Sequence, residues 1–367
     1  MDNTVTSLPG AGGRTEKGGR IAYLDLLRII TMFSVVVLHT AGQHWNELSP
    51  STGAWQIFNL FDGIVRFAVP VMVMISGVFF LDPIREIPLK KLYGKYILRL
   101  AVAYVFWSFV YAIYKYYISG EPFYSGSIKT ITIYTINSFY HLWFLPMMIA
   151  LYMLVPFLQL ITRYGGEKLC RYFIILFFVF GVLITSVLKF DFPYYDYVKS
   201  ILTRLPVELV GSYAGYFMLG YYLYNFPISK KLQTAAYILG IGSVLACIAG
   251  TSLLSLKGNA PVGYIFDYFM VTTFFASAAL FIFFKYQVSK LNWSEGSIKR
   301  IQYVSLCTFG IYLVHAMILS YLGERGLDTL SFNALLSVPV LAVLIFVASF
   351  AETVLLRLIP VVNKYIT

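Results

Sequence analysis

The chain has 367 residues and a formal net charge of +11; 59% of its residues are hydrophobic and 12% are charged. Soluble globular domains carry about 25% charged residues, so this chain has too few charges to cover a water-facing surface of its size. Together with a mean hydropathy of +0.74, the composition excludes a disordered chain, a coiled coil and a secreted disulfide scaffold. It predicts an all-α polytopic membrane protein.

Apolar runs of about 20 residues recur along the chain, and each predicts a membrane-spanning helix because a helix satisfies its own backbone groups in lipid. The runs lie at 23–43, 56–80, 97–118, 140–161, 171–188, 206–224, 233–254, 264–284, 302–322 and 334–358. Lys and Arg alternate between the connecting segments: 81–99 carries five and 43–55 carries none. By the positive-inside rule, both termini of this bundle of about ten transmembrane helices are expected to be cytosolic, N-in and C-in.

The chain divides into a membrane domain over 21–360 and two short ends. Residues 1–20 are polar and Gly-rich and are expected to form a disordered cytosolic tail, and 361–367 a short cytosolic tail. The three cysteines have no CxxC spacing, so neither a disulfide nor a metal site is expected. The basic residues are interpreted as orientation signals near anionic membrane lipids, and no nucleic-acid partner is expected.

The first apolar run contains three ionisable residues, Asp25, Arg28 and His39. Such residues are costly inside a bilayer and are therefore candidates for function. Arg28 and His39 are eleven residues apart, about 1100° of helix rotation, so they share one face with an axial separation of about 16 Å; Asp25 lies on that face one turn before Arg28. Two structural readings stay open: Arg28 paired with Asp25 near the headgroups, and His39 as a hydrogen-bonded core histidine. The shared face favours a long anionic cofactor in one internal channel, with its phosphates near Arg28 and its reactive end at His39.

Four short stretches together resemble the acyltransferase-3 family of integral membrane acyltransferases, over about residues 22–358. They come closest to its stand-alone O-acetyltransferase branch, of the enterobacterial common antigen type. The stretches are Arg28 followed after ten residues by His39; Arg66 with Pro70 and Ile75-Ser76-Gly77; His141-Leu142-Trp143-Phe144-Leu145; and Tyr312-Leu313-Val314-His315.

The resemblance implies transfer of an acyl group, usually acetyl, from cytosolic acetyl-CoA or another acyl-CoA to a hydroxyl of a cell-envelope glycan or lipid-linked saccharide. It implies a multi-pass protein of the bacterial plasma (inner) membrane, with no permanently bound cofactor. His39 is expected to act as a general base or as a transient acyl acceptor. A transporter or flippase of a polar envelope precursor is the alternative, although the prolines show no paired helix interruptions in two halves.

The remaining candidate residues come from the matching stretches and from polar positions near helix ends. Arg28 and Asp25 are predicted to contact the acyl-CoA. Glu208 either binds the acceptor or pairs with Arg204 four residues earlier. The residues predicted to bind substrate are Arg66, Ser76, His141, Trp143, Tyr312, His315 and Glu208.

Two helix-spacing patterns add to this set. Asp62 and Arg66 are four residues apart and can pair on one helix. Ser305, Thr308, Tyr312 and His315 fall within one narrow arc of a helix, which predicts a polar stripe facing the interior of the bundle. Hydroxyls alone would be read as contacts between helices, whereas the matching Tyr312 and His315 favour a substrate cavity.

Overall fold

The computed structural model describes residues 21–118, 120, 127–190, 192–202, 204 and 212–366. Within these residues all regular structure is helical and no strand is present, which confirms the all-α class. The helices are α1 (Ala22–Ala41), α2 (Gly53–Val65), α3 (Ala68–Phe80), α4 (Leu89–Ile118), α5 (Ser127–Asn137), α6 (Phe144–Tyr164), α7 (Gly166–Val187), α8 (Tyr195–Leu202), α9 (Ala214–Asn225), α10 (Lys230–Gly258), α11 (Val271–Tyr286), α12 (Glu295–Glu324), α13 (Ala334–Leu356) and α14 (Pro360–Tyr365).

Nine segments of the described chain are long and apolar enough to cross a membrane. They coincide with nine of the ten predicted runs, with α2 and α3 together forming one span, Gly53–Phe80, and α11 lying within another, Tyr264–Lys290. The remaining run, 206–224, contains α9, a helix of 12 residues beginning at Ala214, and its residues 206–211 lie outside the described chain. The predicted tail 1–20 also lies outside it, and the orientation of the termini stays a prediction. The predicted tail 361–367 contains most of the short helix α14.

Helix α1 lies at the centre of the bundle, where it packs against α2, α3, α11, α12 and α13. Buried positions make up 67% of its apolar window, against 28% in α6, α7 and α10. This central position follows from its ionisable residues, which are costly to expose to lipid and are shielded by neighbouring helices. The face that carries Asp25, Arg28 and His39 is therefore directed at other parts of the protein.

Helices α3 and α9 approach each other closely through two glycines. A methyl group added at Gly77 would overlap the backbone of Phe217, and one added at Gly220 would overlap the backbone of Met74. Small residues allow backbones to come together where lipid offers no hydrophobic force between helices. The contact fixes α3, which carries Ser76 immediately before Gly77.

The span Gly53–Phe80 is interrupted at Arg66 and Phe67, between α2 and α3. Pro70 explains the interruption, because it has no N–H to donate to the carbonyl of Arg66 and its ring crowds that carbonyl. The regular pattern resumes with Val71, whose N–H donates to Phe67 O at 3.0 Å. Arg66 therefore lies at the end of α2, where its side chain can reach a cavity.

Candidate active site

Two cavities lie along the face of α1. The larger, here called the His39 cavity, has a volume of about 760 Å³ and lies between the last turn of α1, α2, α12 and the segment 263–268. The smaller, the Arg28 cavity, has a volume of about 140 Å³ and lies between α1, α3, α4, α6 and α12. Residues of α1 and α12 line both cavities, so these two helices contribute to each of them.

His39 is in the last turn of α1, two residues before the helix ends at Ala41. Its side chain is partly buried and lines the larger cavity. The Tyr140 ring packs edge-on against it with 5.0 Å between centroids, and the His315 ring lies 5.3 Å away. The imidazole thus combines access to a cavity with a protein wall behind it, as a general base or nucleophile requires.

Three of the chain's four histidines form one cluster. His315 lies between the other two, with its ring 5.3 Å from that of His39 and 5.1 Å from that of His141. The Tyr312 hydroxyl donates a hydrogen bond to the carbonyl of His141, and Nδ1 of His315 lies 2.7 Å from the carbonyl oxygen of Tyr312. Within the described chain, Nε2 of His315 and both ring nitrogens of His141 are buried without a hydrogen-bond partner. The cluster therefore holds unused donor and acceptor capacity beside His39.

Arg66 and Asp62 form the predicted pair on the wall of the His39 cavity. The guanidinium also lies 4.1 Å from the centroid of the Phe266 ring and donates to the Phe266 carbonyl at 3.5 Å. Oδ1 of Asp62 is buried and has no hydrogen-bond partner among the described residues. Sequence reasoning gave Asp62 only a pairing role, and the signal that could have added it to the site is its i,i+4 spacing from a candidate residue.

Arg28 belongs to a partly buried polar triad. Its Nη1 lies 3.3 Å from Oδ1 of Asp25 and 3.2 Å from Oγ of Ser305, and Ser305 donates to the same Asp25 oxygen at 2.6 Å. Asp25 is buried, whereas 27% of the Arg28 side chain remains exposed. Arg28 also lines the smaller cavity. The pairing with Asp25, which the structural alternative for Arg28 assumes, is present, and it coexists with access to a cavity.

The polar stripe of α12 faces the interior as predicted, since all four of its residues are buried. Its first member, Ser305, binds Asp25 and Arg28; Thr308 and Tyr312 line the Arg28 cavity; and His315 contacts His39. Ser76 lines the Arg28 cavity as well, with its hydroxyl donating to the carbonyl of Met72. One face of α12 thus runs from the triad around Arg28 to the histidine cluster.

The structure does not bring every candidate into one site. Trp143 lines neither cavity; it is 38% exposed and its ring stacks on that of Tyr268 with 5.8 Å between centroids. Tyr268 itself lines the His39 cavity, so Trp143 contacts a residue of the cavity wall without lining the cavity. Glu208 lies outside the described residues.

A single channel lined by both Arg28 and His39 was expected; in the described chain Arg28 lines one cavity and His39 the other, and a channel that joins them stays a prediction. The two cavities share no lining residue. Ring contacts lead from Tyr312, in the wall of the smaller cavity, through His315 to His39. The rings of Tyr312 and His315 therefore pack between the smaller cavity and His39.

A family comparison decides how this arrangement is understood. A profile described as an acyltransferase domain matches residues 21–357. The chain belongs to the acyltransferase-3 family. No curated protein and no solved structure matches it. This family member is a multi-pass membrane acyltransferase, and its four matching stretches contribute Arg28, Arg66, Tyr312 and the three clustered histidines to the two cavities and the wall between them.

Within the described residues, no group of three or more His, Cys, Asp or Glu side chains could hold a metal ion. The histidines of this acyltransferase instead meet as packed rings, with 78° between the planes of His141 and His315. Edge-to-face packing of this kind is a normal contact between aromatic rings. The chemistry available at the site is that of an imidazole, a guanidinium–carboxylate pair and hydroxyl groups.

Proposed function

We propose that this acyltransferase moves an acetyl group from cytosolic acetyl-CoA to a hydroxyl of an envelope glycan or lipid-linked saccharide, at the bacterial plasma membrane. The observation that carries the proposal is the position of His39 on the wall of a cavity of about 760 Å³, beside the pair formed by Arg66 and Asp62. Ligand cavities commonly measure roughly 300–1,000 Å³, so this cavity can take a sugar unit together with an acetyl group.

In the proposed reaction, His39 removes the proton from the acceptor hydroxyl as the oxygen attacks the thioester carbonyl. The new C–O bond forms, the C–S bond breaks, and the proton on His39 passes to the sulfur of CoA. A positioned general base contributes about 10²–10⁴-fold in rate. A second route remains, in which His39 attacks first and carries the acetyl group before the acceptor takes it.

The donor is proposed to place its phosphates against Arg28. Arg28 suits this role because Asp25 and Ser305 hold its guanidinium from one side while part of the side chain lines a cavity. Tyr312 lines the Arg28 cavity, and its hydroxyl donates a hydrogen bond to the carbonyl of His141. On the proposed route to His39, donor binding would separate Tyr312 from that carbonyl so that the thioester can pass.

The acceptor is proposed to occupy the His39 cavity. Its wall combines the charged pair Arg66 and Asp62 with the flat rings of Tyr264, Phe266 and Tyr268. Sugar rings present hydroxyls at their edges and apolar C–H groups on their faces, so a wall that mixes charge and aromatic rings suits them. Arg66 would orient the acyl carbonyl or an acceptor hydroxyl. Oδ1 of Asp62, which has no hydrogen-bond partner among the described residues, would accept a hydrogen bond from an acceptor hydroxyl.

The proposal is tested by mass spectrometry of envelope glycans from cells with the gene, without it, and complemented by variants. Loss of acetyl groups without the gene is expected, with recovery by the wild type and by His44→Gln but not by His39→Gln. His44 is a matched control because it lies just beyond α1 and contacts the acidic side chains of Glu47 and Asp328. Loss of the glycan itself would instead indicate a transporter, and recovery by His39→Gln would exclude the assigned base.

A further inference from the structure

The proton of His315 is located by its hydrogen bonds. Nδ1 lies 2.7 Å from the carbonyl oxygen of Tyr312 and 3.2 Å from that of Ile311, in the preceding turn of α12. A carbonyl oxygen can only accept a hydrogen bond, so Nδ1 is the donor. In a neutral imidazole, the other nitrogen then carries a free lone pair. His315 therefore presents Nε2 as an acceptor.

This acceptor has no partner in the described chain. His315 is 0% exposed, and its Nε2 is buried without a hydrogen bond. Buried acceptors are nearly always satisfied in folded proteins, so one left open next to a reaction site calls for a functional reason. A candidate donor that also lines a cavity is His39, whose ring lies 5.3 Å away with 31° between the planes.

We propose that His315 is a positioning residue for His39. Nε2 of His315 accepts a hydrogen bond from one ring N–H of His39, so the other ring nitrogen of His39 stays unprotonated and faces the cavity. The inference rests on the proposed role of His39 as the base or acyl acceptor. A neutral His39 carries one ring proton, and if that proton faced the cavity the imidazole could not accept a second one from the hydroxyl. A fixed acceptor on the side of the ring away from the cavity selects one tautomer of His39, as the third group that orients the base does in a nucleophile–base arrangement.

The 5.3 Å between the centroids of the two rings is compatible with this bond. Rings at this separation can be joined by an N–H···N hydrogen bond of ordinary length once the side-chain torsions rotate. Hydrogen bonds of catalytic groups are often long without substrate and tighten when it binds. His141 is the competing donor, since its ring is 5.1 Å from His315 and both of its nitrogens lack partners in the described residues. It lines neither cavity, so a bond to it would not orient the base.

The test is ¹⁵N NMR of the full chain labelled at histidine, in lipid nanodiscs. The chain has four histidines, so each signal can be assigned by single substitution, and ¹⁵N shifts report which ring nitrogen carries the proton. In the wild type, His315 is expected to be protonated on Nδ1 and His39 to populate one tautomer. In His315→Leu, His39 is expected to become a mixture of both tautomers, while the signals of His44 stay unchanged. His315→Gln places an amide oxygen near the lost acceptor and is expected to restore the single tautomer.

Turnover of acetyl-CoA supplies a second readout on the same variants. In His315→Leu, kcat is expected to fall about 100-fold with the KM for acetyl-CoA unchanged, within the range of general-base effects; His315→Gln should recover part of kcat, and His44→Gln should match the wild type. Three results would overturn the inference: protonation of His315 on Nε2, a His39 tautomer that is the same in His315→Leu as in the wild type, or a change of ¹⁵N shifts confined to His141. The tautomer measurement does not depend on activity, so an inactive wild type would count against the proposed function alone.

Discussion

The partly buried triad of Asp25, Arg28 and Ser305 allows a quantitative test of how the bundle tolerates charge. Replacing Arg28 by Gln leaves the Asp25 carboxylate, 5% exposed, without its ion-pair partner and with a hydrogen bond from Ser305. Removing one partner of a buried ion pair costs about 3–5 kcal/mol. Because 27% of the Arg28 side chain is exposed, we expect the lower end, a loss of about 3 kcal/mol in the free energy of unfolding.

Replacing both charges should be far less damaging than replacing one. In the variant with Asp25→Asn and Arg28→Gln, neither position carries a charge and the two amides can still bond to each other. The double-mutant cycle is therefore expected to give a coupling energy of about 2 kcal/mol between the two positions. Lys299→Gln is the control, because it removes an exposed cation from the same helix that carries Ser305; its effect should stay within about 0.5 kcal/mol.

The native cysteines provide a probe for measuring the free energy of unfolding. All three cysteines, Cys170, Cys247 and Cys307, are free and buried, so a fluorogenic maleimide reacts only when the bundle opens. Unfolding in mixed detergent micelles, followed by helicity and by this reaction, gives the free energy for each variant. If Arg28→Gln alone were as stable as the double variant, the Asp25 carboxylate would not depend on Arg28 and the reasoning would be refuted.

Two further substitutions test the packing of the helices and the wall between the cavities. Gly220→Ala should cost about 3 kcal/mol, because its methyl group would overlap the backbone of Met74; Gly242→Ala, with nothing within 4 Å of the added group, should not lower stability in the same thermal unfolding assay. Tyr312→Phe removes the hydroxyl bonded to the carbonyl of His141 and should cost about 1 kcal/mol of stability. It should also lower the KM for acetyl-CoA, since the donor no longer has to break that bond, and a higher KM would contradict the proposed route.

Local spacing was sufficient to predict much of the architecture. Nine helical segments of the described chain that are long and apolar enough to cross a membrane coincide with predicted apolar runs, because a bilayer admits few other structures. The pair of Asp62 and Arg66 and the interior stripe on α12 follow from the 3.6-residue period, which places such residues on one face. The approach of His39 to His315 could not be predicted this way, since it joins residues 276 positions apart in the chain.

The cavities could not be predicted from the sequence. Helix rotation places Arg28 and His39 on one face, but whether a channel runs between them depends on the side chains of other helices, here Tyr312 and its bond to the His141 carbonyl. The segment 263–268 closes one side of the His39 cavity, and no periodic pattern links that segment to α1. Trp143 belongs to a matching stretch and still lies outside both cavities, because a motif does not fix the direction in which each side chain points.

The most direct test of the proposed reaction is the rate at which purified protein in nanodiscs releases CoA thiol from acetyl-CoA in the presence of an envelope saccharide extract. The wild type and His44→Gln are expected to release thiol at the same rate and to acetylate the saccharide. His39→Gln is expected to be slower by about 10²–10⁴-fold while its thermal unfolding remains that of the wild type. A His39→Gln protein that transfers acetyl at the full rate would contradict the central claim that this imidazole carries the chemistry.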